Sequence, residues 1–222
     1  MAHLPQPLQR IARTLLSSWR SVDRQLAERR VRSASIDIRP LIEPDIERVR
    51  QALPDSGLTE ADLTDHQAHR TTIIVAWLDR TPVGIGWTHW DGPRDAVLMT
   101  RIGRVPEIHR LHVNRRYRCF GLGTRIIKSF ELLAYEKGLV WIGLGVHTRN
   151  HRATTLYRRL GFLETGERYL DEFVIPRADG KMHQVSEPAI YMIRDISTRS
   201  RAASALRGRS IARPGTRPAI VE

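Results

Sequence analysis

The chain has 222 residues, a single cysteine (Cys119) and only three lysines among its 36 basic residues. One cysteine excludes an internal disulfide and a cysteine-based zinc site. No apolar run approaches the roughly 20 residues that a membrane span needs. Arg10, Arg13 and Arg20 interrupt every apolar stretch near the start, where a secretory segment would be unbroken. A reducing, cytoplasmic location is therefore expected. With Lys128, Lys137 and Lys181 the only lysines, nearly every fixed positive charge is an arginine. A GC-rich genome produces that bias without selection for nucleic-acid contacts.

The net charge of +12 sits mainly at the two ends. Residues 1–34 carry seven arginines against Asp23 and Glu28, and residues 195–222 carry six against Asp195 and Glu222. The middle is close to balanced. Leu8, Ile11, Leu15 and Trp19 are spaced as one stripe of an amphipathic helix with arginines off the stripe, so residues 1–34 are expected to be a basic extension. Residues 195–222, rich in Arg and Ser and broken by Pro214 and Gly215, are expected to be a disordered tail. Residues 35–194 remain as one domain.

Within that domain the pattern reads as antiparallel strands first and strand–helix alternation afterwards. Ser35–Arg39 alternates as a strand, and Pro44 opens a helix with acids in its first turn. Thr59–His66 is a second helical piece. Thr71–Leu78 and Val83–Trp90 form a hairpin around Asp79-Arg80-Thr81-Pro82, and Ala96–Ile102 is expected to extend the sheet. Glu107–Val113 is a third core strand; simple alternation puts Leu111 and Val113 on one face, with Ile108, Arg110 and His112 on the other. A helix follows from about Gly123 to Lys137, closed by Gly138. Leu139–Val146 reads as a central strand, and Asn150 caps a short helix that Gly161 ends. Phe173–Ile175 and Ala189–Ile193 read as closing strands. The expected class is α+β, with a mixed central sheet flanked by helices.

The loop Arg118-Cys119-Phe120-Gly121-Leu122-Gly123-Thr124 lies between a strand and an amphipathic helix. Two glycines let the backbone curl so that several N–H groups converge, and the helix N-terminus adds unpaired N–H groups and a positive dipole end. Arg115, Arg116 and Arg118 raise the local potential. This is chemistry for a pyrophosphate, although a glycine turn without a ligand has the same composition. It is not the P-loop, since no Lys-Ser/Thr pair follows, nor the dinucleotide fingerprint, which has one more glycine.

Together with Asn150-x-x-Ala153-x-x-Leu156-Tyr157-x-x-x-Gly161-Phe162 and the opening Ile38-Arg39-Pro40, the motif Arg118-x-x-Gly121-x-Gly123 resembles the GCN5-related N-acetyltransferases, GNAT for short. The resemblance covers residues 35–194 and implies the GNAT fold and acetyl-CoA as acyl donor. It implies that Leu111, His112 and Val113 line the acyl arm, that Arg118, Cys119, Phe120, Gly121, Leu122, Gly123 and Thr124 hold the pyrophosphate, and that Asn150 and Ala153 meet the CoA arm. It assigns Tyr157 as general acid to the departing sulfur and aligns Glu107 with a glutamate that activates the amine. His109 and His112 remain alternative bases because imidazole titrates near neutrality. Alternation sets them on opposite faces, which disfavours a metal site between them. His66 and His69 lack a third ligand in the pattern, and no metal is expected.

The function implied is acetyl transfer to a primary amine by direct attack in a ternary complex. A CoA-binding sensor and an acyltransferase acting on a nucleic-acid-associated acceptor, reached through the basic ends, stay open beside it. So does a homodimer. The acceptor is not legible; Glu164, Glu167, Asp171 and Glu172 form an acidic group suited to a cationic amine, or simply to solvent.

Overall fold

The computed structural model describes residues 23–176 and 182–197, without the side chains of residues 173–183. The stripe through Leu8, Ile11, Leu15 and Trp19, and the tail beyond residue 197, lie outside the described residues. The chain runs α1 (residues 23–33), β1 (Ile36–Pro40), α2 (Ile46–Ala52), α3 (Glu60–Gln67), β2 (Thr71–Leu78), β3 (Thr81–His89), α4 (Ala96–Ile102), β4 (Glu107–Val113), α5 (Leu122–Glu136), β5 (Trp141–His147), α6 (His151–Arg159), β6 (Leu163–Pro176) and β7 (Met182–Asp195). One sheet holds all seven strands in the order β1-β2-β3-β4-β5-β7-β6. Every neighbouring pair is antiparallel except β4–β5, which is parallel. This is the mixed α+β sheet that the pattern predicts. Among the described residues no helix is long and apolar enough to cross a membrane.

Helices cover both faces of the sheet, which is why its central strands read as nearly continuous apolar runs. On one face Ile74, Ala76, Val83, Ile108, Leu144 and Val146 pack against Ile126, Ile127 and Phe130 of α5 and Tyr157 of α6. Ala27 of α1 joins that core at 5% exposure. On the other face Ile73, Val75, Trp77, Ile85 and Trp87 pack against Val49 and Leu63 of α2 and α3. Ile126, Ile127 and Phe130 recur at the 3.6-residue period of a half-buried helix. Gly138 takes the left-handed conformation (φ 75°) just past the helix end.

Three expectations change. Ala96–Ile102 is helix α4 rather than a strand: the Asp95 carboxylate accepts from the Leu98 N–H (2.8 Å), Leu98 is buried, and Gly103 at φ 80° ends the turn. The closing strands are 14 residues each, far longer than their apolar centres. Alternation along β4 also fails at its middle. Trp87 pairs with His109 and Ile85 with His112, so Arg110 and Leu111 both face Gly86 alone, a β-bulge. Arg110 adopts φ 49° there, sets its guanidinium over the Trp87 ring (4.1 Å) and pairs with Asp62 (2.5 Å). The bulge turns the later residues over. Ile108, Leu111 and Val113 all pack toward α5, while His109 and His112 share the opposite face, contrary to the alternation.

Candidate active site

Strands β4 and β5 pair at only two positions, Glu107 with Gly143 and Ile108 with Leu144. Beyond Ile108, β4 stays bonded to β3 alone, so the sheet opens as a V whose apex is Glu107. Leu111, His112 and Val113 run along one arm without a β5 partner. Gly123 meets this arm: a Cβ there would lie 3.7 Å from Leu111 and 4.0 Å from Val113. The glycine loop and the open strand are therefore adjacent.

The loop itself curls as its glycines predict. Gly121 has φ 79°, and Cys119 accepts φ 72° two residues earlier, where an L side chain is strained. Such alternation makes a concavity of backbone N–H groups. The first N–H used inside α5 is that of Arg125, bonded to the Gly121 carbonyl (3.0 Å), and no side chain caps the helix. The leading donors at Leu122, Gly123 and Thr124 thus face outward with the positive dipole end behind them. Arg118 Nε donates to the Val113 carbonyl (2.8 Å), tying the loop to the open strand. Arg152 of α6 reaches Cys119 Sγ. Phe120 is partly buried against the α5 core.

On the α5 side of the V stands α6. Asn150 caps it by accepting from the Ala153 N–H (3.1 Å), which leaves the Asn150 amide N–H groups for other partners. One turn on from Ala153, Tyr157 is 9% exposed, its ring 6.0 Å from Phe162. Its hydroxyl bonds no described residue, and burial pushes the phenol up to about 12.

On the other side stands Glu107, 7% exposed, opposite His89 on β3. Burial pushes its carboxyl up to about 7; the Arg94 N–H (3.3 Å) works against that, and Asp171 adds to it. A carboxyl there changes charge near neutrality, as a general base should. His109 stacks on His89 (4.9 Å) and is held well below the usual histidine range, first by burial and then by His89, Arg110 and Arg94. His112 is also lowered, again mainly by burial. The two histidines are the poorer bases. Among the described residues no group of three or more His, Cys, Asp or Glu could hold a metal. His66 is anchored instead, its Nε2 2.8 Å from the Leu41 carbonyl oxygen.

Some of the surroundings were not legible from motifs. The segment before α4 roofs Glu107 through Arg94, and Tyr169, Tyr191, Gly143 and Gly145 share the Glu107 face. A signal for the last pair existed: glycines inside an apolar strand mark a close approach. Helix α1 also reaches the loop region, since Arg30 donates to the Tyr117 hydroxyl (3.2 Å) and to Thr81 Oγ1 (3.1 Å), and Asp23 pairs with Arg116.

Comparison with known proteins bears on the family and the fold. Residues 38–162 match the model of the acetyltransferase (GNAT) family. The N-alpha-acetyltransferase RimI of Mycobacterium tuberculosis (strain ATCC 25618 / H37Rv) is 38% identical over 74 residues, which are 32% of this chain and 45% of that protein. The chain thus spans just under half the length of this curated relative. The ribosomal-protein-S18-alanine N-acetyltransferase of Escherichia coli superimposes with a TM-score of 0.53 at 19% identity, over 73% of this chain and 94% of that one. An N-acetyltransferase of Staphylococcus aureus Mu50 gives 0.54 at 14% identity, over 73% and 99%.

Proposed function

Because the chain belongs to the GNAT acetyltransferase family, we propose that it moves the acetyl group of acetyl-CoA to a primary amine by direct attack in a ternary complex. The observation that carries this reading is the open V, with a carboxyl near pKa 7 on one face and a buried phenol on the other. A thioester lying in the opening meets the amine from the Glu107 side and gives up sulfur on the Tyr157 side.

The uncapped first turn of α5, the left-handed residues Cys119 and Gly121, and Arg118 suit a pyrophosphate. The arm from Leu111 to Val113 offers backbone to the acyl chain and to the developing oxyanion. Glu107 takes one proton from the acceptor ammonium. The freed nitrogen attacks the carbonyl carbon, the C–S bond breaks, and Tyr157 donates to the departing thiolate. The nitrogen loses a second proton once the C–N bond exists, and this balances the proton delivered to sulfur. The partial likeness to an N-alpha-acetyltransferase makes a peptide α-amine the first acceptor to try.

The test is amine-dependent release of CoA thiol, with mass analysis of the product. It uses a peptide with free N-terminal alanine, a lysine peptide blocked at its N-terminus, and n-butylamine. Tight CoA binding with no transfer to any of them would replace the enzyme by a CoA-binding module.

Helix α1 has a place in the same reading, since Arg30 braces Tyr117 directly before the pyrophosphate loop. Removing one such hydrogen bond is worth about 1 kcal/mol. Arg30→Ala is expected to raise KM for acetyl-CoA about fivefold, with kcat and amine KM unchanged. Initial rates at varied acetyl-CoA check this, and an unchanged KM removes the brace.

A further inference from the structure

Tyr191 in β7 is fully enclosed (0% exposed), and its hydroxyl has no hydrogen-bond partner among the described residues. A buried hydroxyl left unpaired is destabilising, and a phenylalanine would avoid it. Its position explains what the oxygen is aimed at. A Cβ built on Gly143 would collide with the Tyr191 hydroxyl, and one on Gly145 with the Tyr169 hydroxyl. Two phenol oxygens therefore fill the space that side chains of β5 would take.

That space lies beside the base. Gly143 is the cross-strand partner of Glu107, and Gly145 that of Tyr191. Tyr169 stands opposite Ala189, itself opposite His147, so all these groups lie on one face of the sheet. The Tyr169 and Tyr191 rings meet edge-on at 6.5 Å. Burial, then the Glu107 charge, holds both phenols above the usual tyrosine range, so they stay neutral and act as hydrogen-bond acceptors toward a cation. At the rim of the same face Asp171 and Glu187 stand opposite each other and reach His147 Nε2 (2.9 Å) and Nδ1 (2.8 Å). Glu107, Asp171, Glu187 and Asp95 outweigh Arg94 in this neighbourhood, and that balance favours a positively charged ligand.

We propose that the Tyr191 hydroxyl, above the glycine floor of β5, is the seat of the acceptor's primary ammonium and points it at Glu107. This rests on the transfer reading above and supplies its acceptor subsite. One N–H of the ammonium donates to Tyr191 Oη and stays there, while a second faces Glu107 and is the proton removed. A neutral phenol cannot accept that proton, so Tyr191 orients and does not titrate. The two glycines let the phenol oxygens come in against β5, beside the apex of the V.

The test compares wild type with Tyr191→Phe, a change that deletes one oxygen bonded to no described residue. The variant is expected to melt about 2–4 °C higher, to bind CoA within twofold of wild type, and to show an amine KM raised about tenfold. Titration of n-butylammonium into each protein with CoA bound reads the site without turnover, and the same tenfold weakening is expected there. A KM and a butylammonium affinity both unchanged within twofold would overturn the proposal, as would a lower melting temperature, which marks Tyr191 as structural. Absence of turnover in wild type, with butylammonium binding still weakened in the variant, overturns the transfer reading and keeps the cation seat.

Discussion

A Tyr157→Phe variant is expected to lose about 10²–10⁴ in kcat, the range a positioned general acid contributes, while KM for acetyl-CoA changes little. The split follows from location. The glycine loop proposed to hold the pyrophosphate lies in the turn before α5, whereas Tyr157 belongs to α6 and packs in the core. The phenol already lies in the apolar core beside Phe162, so phenylalanine keeps the packing and removes only the hydroxyl. With its pKa pushed up to about 12, Tyr157 stays protonated at every working pH. No basic limb below about pH 11 should therefore belong to it. A thiolate leaving into the same desolvated crevice becomes more basic as well, so the proton finds an acceptor of comparable strength. Steady-state rates at saturating acetyl-CoA and amine check this. Undiminished turnover would remove Tyr157 as the acid and leave the family assignment standing.

The elements proposed for the donor half were legible because their signals are local. The glycines of the loop, the Asn150 cap and the α5 stripe each lie within one or two turns of chain, where spacing alone dictates geometry. The acceptor half was not, for reasons visible in particular residues. Ala-Val-Leu-Met-Thr-Arg-Ile has strand-like apolar content, and only the Asp95 cap and Gly103 reveal that 96–102 is a helix. The β4 bulge depends on Arg110 leaving the strand for Asp62 and the Trp87 ring, partners 48 and 23 residues away. No periodicity along β4 records that pull. Likewise Gly143 and Gly145 take their meaning from Tyr191 and Tyr169, which reach them only after β6 and β7 fold back. Charged residues in β6 hid its length, because an edge strand carries polar groups where a central one does not.

Glu107→Gln is the second large loss expected, again about 10²–10⁴ in kcat/KM for the amine, and its pH signature identifies the cause. In wild type kcat/KM should rise with pH through a one-proton limb near 7, because the carboxyl must be ionised to accept the ammonium proton. The Gln variant should lack that limb. The acceptor's own ionisation adds another limb, which moves when an α-amine is exchanged for a lysine side chain, whereas the Glu107 limb stays in place. The groups facing Glu107 are Arg94, Asp95 and Asp171, with Tyr169 and Tyr191 across β5 and His89 and His109 beside it. Neither the histidine pair nor the tyrosine pair mimics the limb: the histidines are lowered and the phenols raised. Stability should move the opposite way from activity. A folded-state pKa raised from 4.5 to about 7 means that the carboxyl's contribution is intact below 4.5 and is lost as the pH rises through 7. At pH 8 the buried charge therefore costs up to ~3 kcal/mol, and Glu107→Gln should recover part of it. Denaturant unfolding at pH 8 and at pH 4.5 checks the sign: the variant is the more stable protein at the higher pH, and the gap narrows at the lower.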